Sequence, residues 1–188
     1  MNESIRRALL QVRSLPFFPA LLSRAKHALI DGMLSFFGSS FEVVSAFVPE
    51  FREEIAGWED GRRFAVGVLP RGPFITLEKR GEGIRYLGKG LHSPSITMSF
   101  KNYDAALPVF LGIHGSFQAF AYNGILVHGD LSKTMEVNRA ANIVNAYLFP
   151  GLMLPRFLKR VPEFTSRHRI AKAQVYLCLV PNMLRHLL

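Results

Sequence analysis

The sequence predicts an α+β domain with five short strands in a mostly antiparallel sheet and with helical extensions at both ends of the chain. Two patterns predict it: runs in which apolar residues alternate with small or polar ones, as in strands, and stretches with apolar residues every three or four positions, as in helices. Short turns rich in glycine and proline separate the first strands, which favours antiparallel neighbours. The 188 residues are 49% hydrophobic, enough to build a core without disulfides.

The N-terminal stretch, residues 2–37, is predicted to be helical with interruptions at Pro16 and Pro19, and Gly38-Ser39-Ser40 is predicted to end it. A second helix follows, in which we expect a kink or a restart at Pro49 because proline has no amide hydrogen to donate. Spacings of three and four place its apolar residues on one stripe. These residues are Phe41, Val44, Val48, Phe51, Ile55 and Trp58.

Five strands are predicted, at residues 64–68, 74–79, 84–87, 95–100 and 125–128. The fourth has the clearest pattern, because Ile96, Met98 and Phe100 alternate with polar residues and therefore share one face. In the fifth strand, Ile125 and Val127 are expected to point inward. Since short loops join the consecutive first strands, we expect an antiparallel meander.

Helices are predicted at residues 102–111, at 117–122 and, longest of all, after Asp130 up to Pro150-Gly151. Asp130 suits the start of its helix because a carboxylate caps free amides and is favoured at the positive end of the dipole. The predicted buried stripe of this helix is Leu131, Met135, Val137, Ala141, Val144 and Leu148. The last helix, about 166–180, is apolar almost all round from Val175 onward, so protein, a partner or lipid must cover it.

The net charge of +9 lies at the two ends of the chain. Residues 1–40 carry five basic and two acidic groups, residues 41–150 carry eleven of each, and residues 151–188 carry seven and one. These basic residues lie beside bulky aliphatic and Phe side chains, which is typical of a membrane-surface helix, although solvated helix faces packed on the domain give the same pattern. We expect no nucleic-acid partner, because the polar contacts of a groove-reading element are missing. The candidate membrane-surface residues are Arg156, Lys159, Arg160, Arg167, Arg169 and Lys172.

The middle of the chain, residues 41–155, resembles the sterol carrier protein 2 (SCP2) family. The most specific runs are Ser95–Leu107, Gly115–Phe120 and Gly124–Asp130, in the order strand, helix, helix, strand, Gly-Asp, long helix. Upstream, Val48–Gly61 looks like the family's first helix and turn. The resemblance implies a five-stranded sheet covered on one face by helices, with an apolar tunnel between the two layers.

The resemblance also implies a function, namely non-enzymatic binding, carriage or presentation of a sterol, fatty acyl chain, phospholipid or isoprenoid quinone. Carried over by position, the residues that would line the tunnel are Met98, Phe110, Phe117, Phe120, Val127 and Met135. Each of them is equally compatible with an ordinary core. The high Phe content, 16 residues, likewise fits a large core, an apolar cavity or a membrane-facing patch.

The basic ends divide the chain into an N-terminal extension (1–40), the lipid-binding domain (41–155) and a C-terminal extension (156–188). Such extensions resemble those of accessory family members that support quinone synthesis or lipid handling at bacterial membranes. The alternative function is therefore a scaffold or accessory subunit of a lipid or quinone biosynthesis complex, with the C-terminal helix contacting a protein partner or a second copy.

No catalytic, metal or cofactor motif is found in the sequence. No two of the six His lie four positions apart, and Cys178 has neither a disulfide partner nor a charged neighbour that would activate it. Residues 124–129 have the spacing of a phosphate loop, but Asp130 stands where lysine is needed. We expect no enzyme. Since neither a signal peptide nor about 18 uninterrupted apolar residues are present, we expect a cytoplasmic protein, or one peripheral to the inner face of the membrane.

Overall fold

A computed structural model describes residues 17–149 and 166–187 of the chain. The helices are α1 (Phe17–Phe47), α2 (Pro49–Ile55), α3 (Tyr103–Phe110), α4 (Ser116–Ala121), α5 (Leu131–Leu148) and α6 (Ser166–Leu187). The strands are β1 (Arg63–Val68), β2 (Phe74–Arg80), β3 (Gly83–Lys89), β4 (Ile96–Phe100) and β5 (Ile125–His128). All five predicted strands are therefore confirmed, each to within about two residues.

The strands form one sheet in the order β3-β2-β1-β4-β5. β1 pairs antiparallel with β2 and parallel with β4, and the remaining pairs are antiparallel. The predicted α+β class with a mostly antiparallel sheet is confirmed. The predicted meander is wrong at β4, because the chain passes from the edge strand β3 back across the sheet before β4 begins.

This crossing runs over one face of the sheet and is held by hydrogen bonds. The Thr76 hydroxyl donates to the carbonyl oxygen of Gly90 (2.7 Å) and accepts from the amide of His92 (3.1 Å). The amide of Ser95 then donates to the carbonyl oxygen of Arg63 (3.0 Å). The segment between β3 and β4 thus satisfies Thr76, a fully buried polar side chain that an apolar covering would leave unpaired.

Helices cover the opposite face, as the sequence resemblance implies. The register aligns Phe64 with Leu77 and Ile96, so their side chains share this face. Phe41 of α1 packs on Phe64, with ring centroids 5.8 Å apart, and Phe110 of α3 packs on Phe100 at 5.5 Å. The core therefore lies between the sheet and the helices.

Helix α1 runs without interruption through residues 38–40, so the end predicted there is wrong. Gly38 lies against β3, where an added Cβ would come within 2.8 Å of the Tyr86 ring. Ser40 keeps its hydroxyl satisfied by donating to the carbonyl oxygen of Phe36 (2.6 Å). Small residues here allow close contact between helix and sheet rather than ending the helix. The restart predicted at Pro49 is confirmed, since α2 begins there.

The boundary predicted after residue 40 falls inside α1, and ion pairs fasten this helix to the rest of the chain. Asp31 pairs with Lys89 of β3, and Lys26 pairs with Asp104 of α3, both at 2.6 Å. By length and composition, the stretch Leu22–Phe47 could cross a membrane, but more than half of it is buried inside the protein. The division into residues 1–40, 41–155 and 156–188 stays a prediction.

Helix α6 packs along α1 and extends beyond the predicted end at about residue 180. Val175 and Leu179 are buried, and the Asn182 side chain donates to Glu42 (3.1 Å). Protein therefore covers one side of this apolar helix. On its other side Ile170 and Leu177 remain 61% and 76% exposed.

Candidate functional site

A cavity of about 290 Å³ lies between the sheet and the helices. Its walls come from the sheet and from four helices, together with the residue that follows α5. The residues that line it are Met33, Phe36, Phe37, Phe41, Val66, Met98, Phe100, Val109, Phe110, Ser116, Ile125, Val137, Asn138, Ala141, Asn145, Leu148 and Phe149.

Strand alternation and helix periodicity direct these side chains to one space. Val66 aligns with Met98, and Phe100 with Ile125, so three adjacent strands present apolar residues on the same face. On α1, lining residues recur at a spacing of four, from Met33 through Phe37 to Phe41. On α5, spacings of three and four align Asn138, Ala141, Asn145 and Leu148.

Aromatic rings form much of the wall. Phe37 meets Phe41 edge to face at 5.1 Å between centroids, and Phe110 lies 6.4 Å from Phe37 and 5.5 Å from Phe100. Such edge and tilted contacts are favourable and hold the rings in place. The resulting surface is apolar and suits alkyl or isoprenoid groups better than polar ones.

In the part of the wall that the structure describes, only three residues are polar and none is charged. They are Ser116, Asn138 and Asn145. The Ser116 hydroxyl oxygen is buried and has no hydrogen-bond partner among the described residues. The cavity thus offers neutral hydrogen-bonding groups and no ionic partner.

The cavity reaches the protein surface beside α1. Phe36 lines it and is nevertheless 37% exposed. Leu29, one heptad earlier on the same side of α1, is also exposed, as are Leu111 and Ile113 just after the lining residues Val109 and Phe110. Exposed apolar side chains therefore lie next to lining residues on α1 and after α3.

A second cleft, of about 330 Å³, is polar and lies around Arg62 and Lys133. Its three described cations are engaged: Arg62 pairs with Glu136 at 2.7 Å, Arg63 with Glu78 at 2.9 Å, and Lys133 with Glu59 at 3.3 Å. Arg62 also lies over the Trp58 ring, 4.7 Å from its centroid. These pairs account for the charges without a ligand, so the apolar cavity is the stronger candidate site.

The groups whose pKa values shift are Tyr86 on β3, Tyr147 near the end of α5, and Lys172 and Tyr176 on α6, and none of these four lines the cavity. Burial raises the pKa of Tyr147 to about 12, and the nearby Glu50 carboxylate adds to this effect. Burial also raises the pKa values of Tyr86 and Tyr176 and lowers that of Lys172. No group of three or more potential metal ligands occurs within the described ranges.

The structure brings two of the six predicted tunnel residues, Met98 and Phe110, onto the wall. Val127 is aligned with Met98 and, like Phe120, packs partly buried against the core, whereas Met135 is half-buried on α5. None of these three is on the wall. The side chain of Phe117 is outside the described part of the chain.

Sequence reasoning missed the contribution of α1 because it assigned residues 1–40 to an extension. It also missed Asn138 and Asn145, because the stripe predicted for α5 was restricted to apolar residues. The available signal was the repeat at positions 138, 141, 145 and 148, which places both amides in line with Ala141 and Leu148.

The predicted membrane-surface residues are only partly within the described structure. Arg156, Lys159 and Arg160 lie outside the described residues, as does the side chain of Arg167, while Arg169 is exposed on α6. The Lys172 ammonium donates to the carbonyl oxygens of Ala146 (3.1 Å) and Phe149 (2.5 Å), so it is engaged at the end of α5.

Comparison with known proteins gives structural neighbours only. No family model matches the chain, and no curated protein matches it. One similar solved structure is the UbiJ-SCP2 ubiquinone synthesis protein, with 17% identity, a TM-score of 0.39, and coverage of 69% of this chain and 99% of that one.

Two further structures are similar. SCP2 from Yarrowia lipolytica, in its apo form, has 12% identity and a TM-score of 0.40, with coverage of 56% of this chain and 86% of that one. The sterol carrier protein domain 2 of Helicoverpa armigera has 14% identity and a TM-score of 0.43, with coverage of 63% and 92%. All three are named for the family that the sequence of residues 41–155 resembles.

Proposed function

We propose that this protein binds a lipid or another long apolar molecule in the cavity and carries or presents it without catalysing a reaction. The observation that carries the proposal is the cavity itself, which six Phe and two Met side chains help to line. Burial of apolar ligand surface against such walls is favourable at roughly 25 cal/mol per Å². The sequence resemblance to a lipid-binding family supports the same function.

The size of the cavity limits how the ligand is held. Ligand pockets commonly have volumes of ~300–1,000 Å³, so a cavity of about 290 Å³ is at the small end of that range. A long lipid would place one end inside and leave past Phe36. The candidate ligands are sterols, fatty acyl chains, phospholipids and isoprenoid quinones.

A carrier rather than an enzyme is supported by the chemistry of the wall. Ser116 is the only hydroxyl nucleophile that the described lining contains, and no His, Lys or carboxylate lines the cavity with it to act as a base. An unactivated serine is a weak nucleophile.

Docking at the cytoplasmic face of an anionic membrane is the proposed route of loading. The exposed Leu29 and Phe36 on α1 and the exposed Leu111 and Ile113 after α3 would supply apolar contact, and the basic ends of the chain would supply electrostatic attraction. Ligand could then pass between bilayer and cavity without crossing water.

A second candidate function, a scaffold or accessory subunit of a lipid or quinone biosynthesis complex, is favoured by α6. Ile170 and Leu177 lie seven residues apart, hence on the same side of the helix, and both are exposed. A protein partner or a second copy of the chain would cover this apolar face.

Mass spectrometry of organic extracts tests the proposal and separates the two candidates. Protein purified without detergent should release a lipid, and the lipid-free protein should bind vesicles containing anionic phospholipid more weakly as salt is raised. Protein that is lipid-free as purified, takes up no lipid from vesicles and elutes with a partner subunit would instead favour the scaffold.

A further inference from the structure

The three polar side chains on the cavity wall need an explanation, because an apolar cavity for lipid tails does not require them. Asn138 is only 2% exposed, and the Ser116 hydroxyl oxygen is buried. Asn145 lies two helical turns beyond Asn138 on the same side of α5, about 10 Å along the helix axis. All three point to the space that the apolar walls enclose.

Within the described part of the chain, their hydrogen-bonding capacity is not used. The Ser116 hydroxyl has no partner, and neither asparagine side chain forms a hydrogen bond, among the residues that the structure describes. Thr134 on the same helix shows the contrast: it is fully buried, and its hydroxyl donates to the carbonyl oxygen of Asp130 (2.8 Å). A buried polar group without a partner, such as the Ser116 hydroxyl, is unfavourable, so these groups are suited to a partner that enters the cavity.

The chemistry of that partner follows from what the wall contains. The described lining has no Lys, Arg or His, and burial of an ionised carboxylate or phosphate without a cation is strongly unfavourable. Hydroxyl and amide groups both donate and accept hydrogen bonds, so they match an uncharged oxygen. An anionic lipid head is therefore excluded from the cavity, although its tail is not.

We propose that Ser116, Asn138 and Asn145 anchor an uncharged lipid whose buried end carries a hydroxyl or carbonyl oxygen. The inference rests on the proposed lipid-binding function and names the ligand class of the same cavity. It implies that the polar end of the ligand enters the cavity and that the apolar remainder extends towards Phe36.

The test compares four ligands with the same chain length: hexadecanol, 2-hexadecanone, hexadecane and hexadecanoate. Each competes at pH 8 for a fluorescent apolar probe bound to the full-length, lipid-free protein. Hexadecanol or 2-hexadecanone should bind about three- to tenfold more tightly than hexadecane, the factor expected of one net hydrogen bond. Hexadecanoate should bind more weakly than hexadecanol.

Substitutions of the polar wall residues test whether these residues cause the preference for oxygenated ligands. Asn138→Leu should remove the preference for the oxygenated ligands while leaving hexadecane binding within about twofold, because leucine matches asparagine in shape but cannot form hydrogen bonds. Ser116→Ala is a smaller change that should reduce the same preference. It replaces Asn138→Leu as the test if that variant does not fold. Thr134→Val, whose hydroxyl faces the backbone, is the matched control and should leave the preference unchanged.

Two failures are distinguishable. Equal binding of hexadecane and hexadecanol, tighter binding of hexadecanoate, or a preference that persists in both Asn138→Leu and Ser116→Ala would overturn the anchor while leaving lipid binding intact. Binding of none of the four ligands would overturn the proposed function itself.

Discussion

The two halves of the sheet carry the same layer of helices but are packed differently. Over β1, β2 and β3, Gly38 brings α1 against Tyr86, and the Phe41 ring packs between Phe51 and Phe64 at 5.8 Å from each. Over β4, β5 and the neighbouring Val66 of β1, the helices enclose the cavity instead. The difference suggests that the packed half contributes most of the stability of the fold and that the open half has space for a ligand.

The largest expected effect comes from removing a ring in the packed half. Phe64 is fully buried, so Phe64→Ala should lower the free energy of unfolding by about 3–5 kcal/mol. Phe110→Ala, on the cavity wall, should cost roughly 1–2 kcal/mol, because that side chain is only partly buried and faces open space. Urea denaturation of both variants measures the difference. Equal losses in the free energy of unfolding would contradict the idea that the two halves contribute differently to stability.

Filling the cavity in the open half with a larger side chain should change stability little but should weaken ligand binding strongly. Ala141→Phe places a ring in the cavity and should weaken binding of a long-chain probe about tenfold or more, equivalent to about 1.4 kcal/mol. The free energy of unfolding should change by less than about 1 kcal/mol, since the space already exists. Ala173→Phe is the matched control, because Ala173 is exposed on α6 and is absent from the wall. A probe affinity unchanged by Ala141→Phe would place the ligand elsewhere.

The last expected effect concerns pH and the end of α5. The pKa of Tyr147 is about 12 in the folded protein against 10.0 for a free side chain, because the phenol is buried beside Glu50. A raised folded pKa means that stability present below pH 10 is lost as the pH rises towards 12. Tyr147→Phe should therefore lose less stability than the parent protein between these values. The urea midpoints of the parent protein and of Tyr147→Phe, compared at pH 10 and near pH 12, measure this difference. Equal losses of stability in the two proteins would assign the pH dependence to other groups.

Much of the fold could be predicted from the sequence because strand alternation and short turns act locally. The five strands, the restart at Pro49 and the cap at Asp130, which accepts from the amide of Ser132 at 2.7 Å, follow from such local signals. The continuity of α1 through Gly38 could not be predicted in the same way. The nearness of Tyr86 makes glycine necessary there, and a contact between residues so far apart in the chain is invisible to local patterns.

The site was less predictable than the fold for a related physical reason. Alternation indicates that Met98 faces inward, and Met98 lies on the cavity wall. Alternation does not distinguish residues of the cavity wall from residues of the packed core, because both face inward. Which of them border the cavity depends on how closely each helix approaches the sheet. Asn138 and Asn145 were overlooked because a search for apolar stripes discards the polar residues that lie within them.

The crossing between β3 and β4 has a consequence for the order in which the protein assembles. Phe64 pairs with Leu77 through a short hairpin connection, whereas its pairing with Ile96 must wait until the chain has traversed two strands and the crossing segment. Contacts between distant residues form more slowly, because a longer loop must close first. We therefore expect β1, β2 and β3 to assemble early and the cavity to be enclosed last, so that the nascent site faces solvent until β4 and β5 join the sheet.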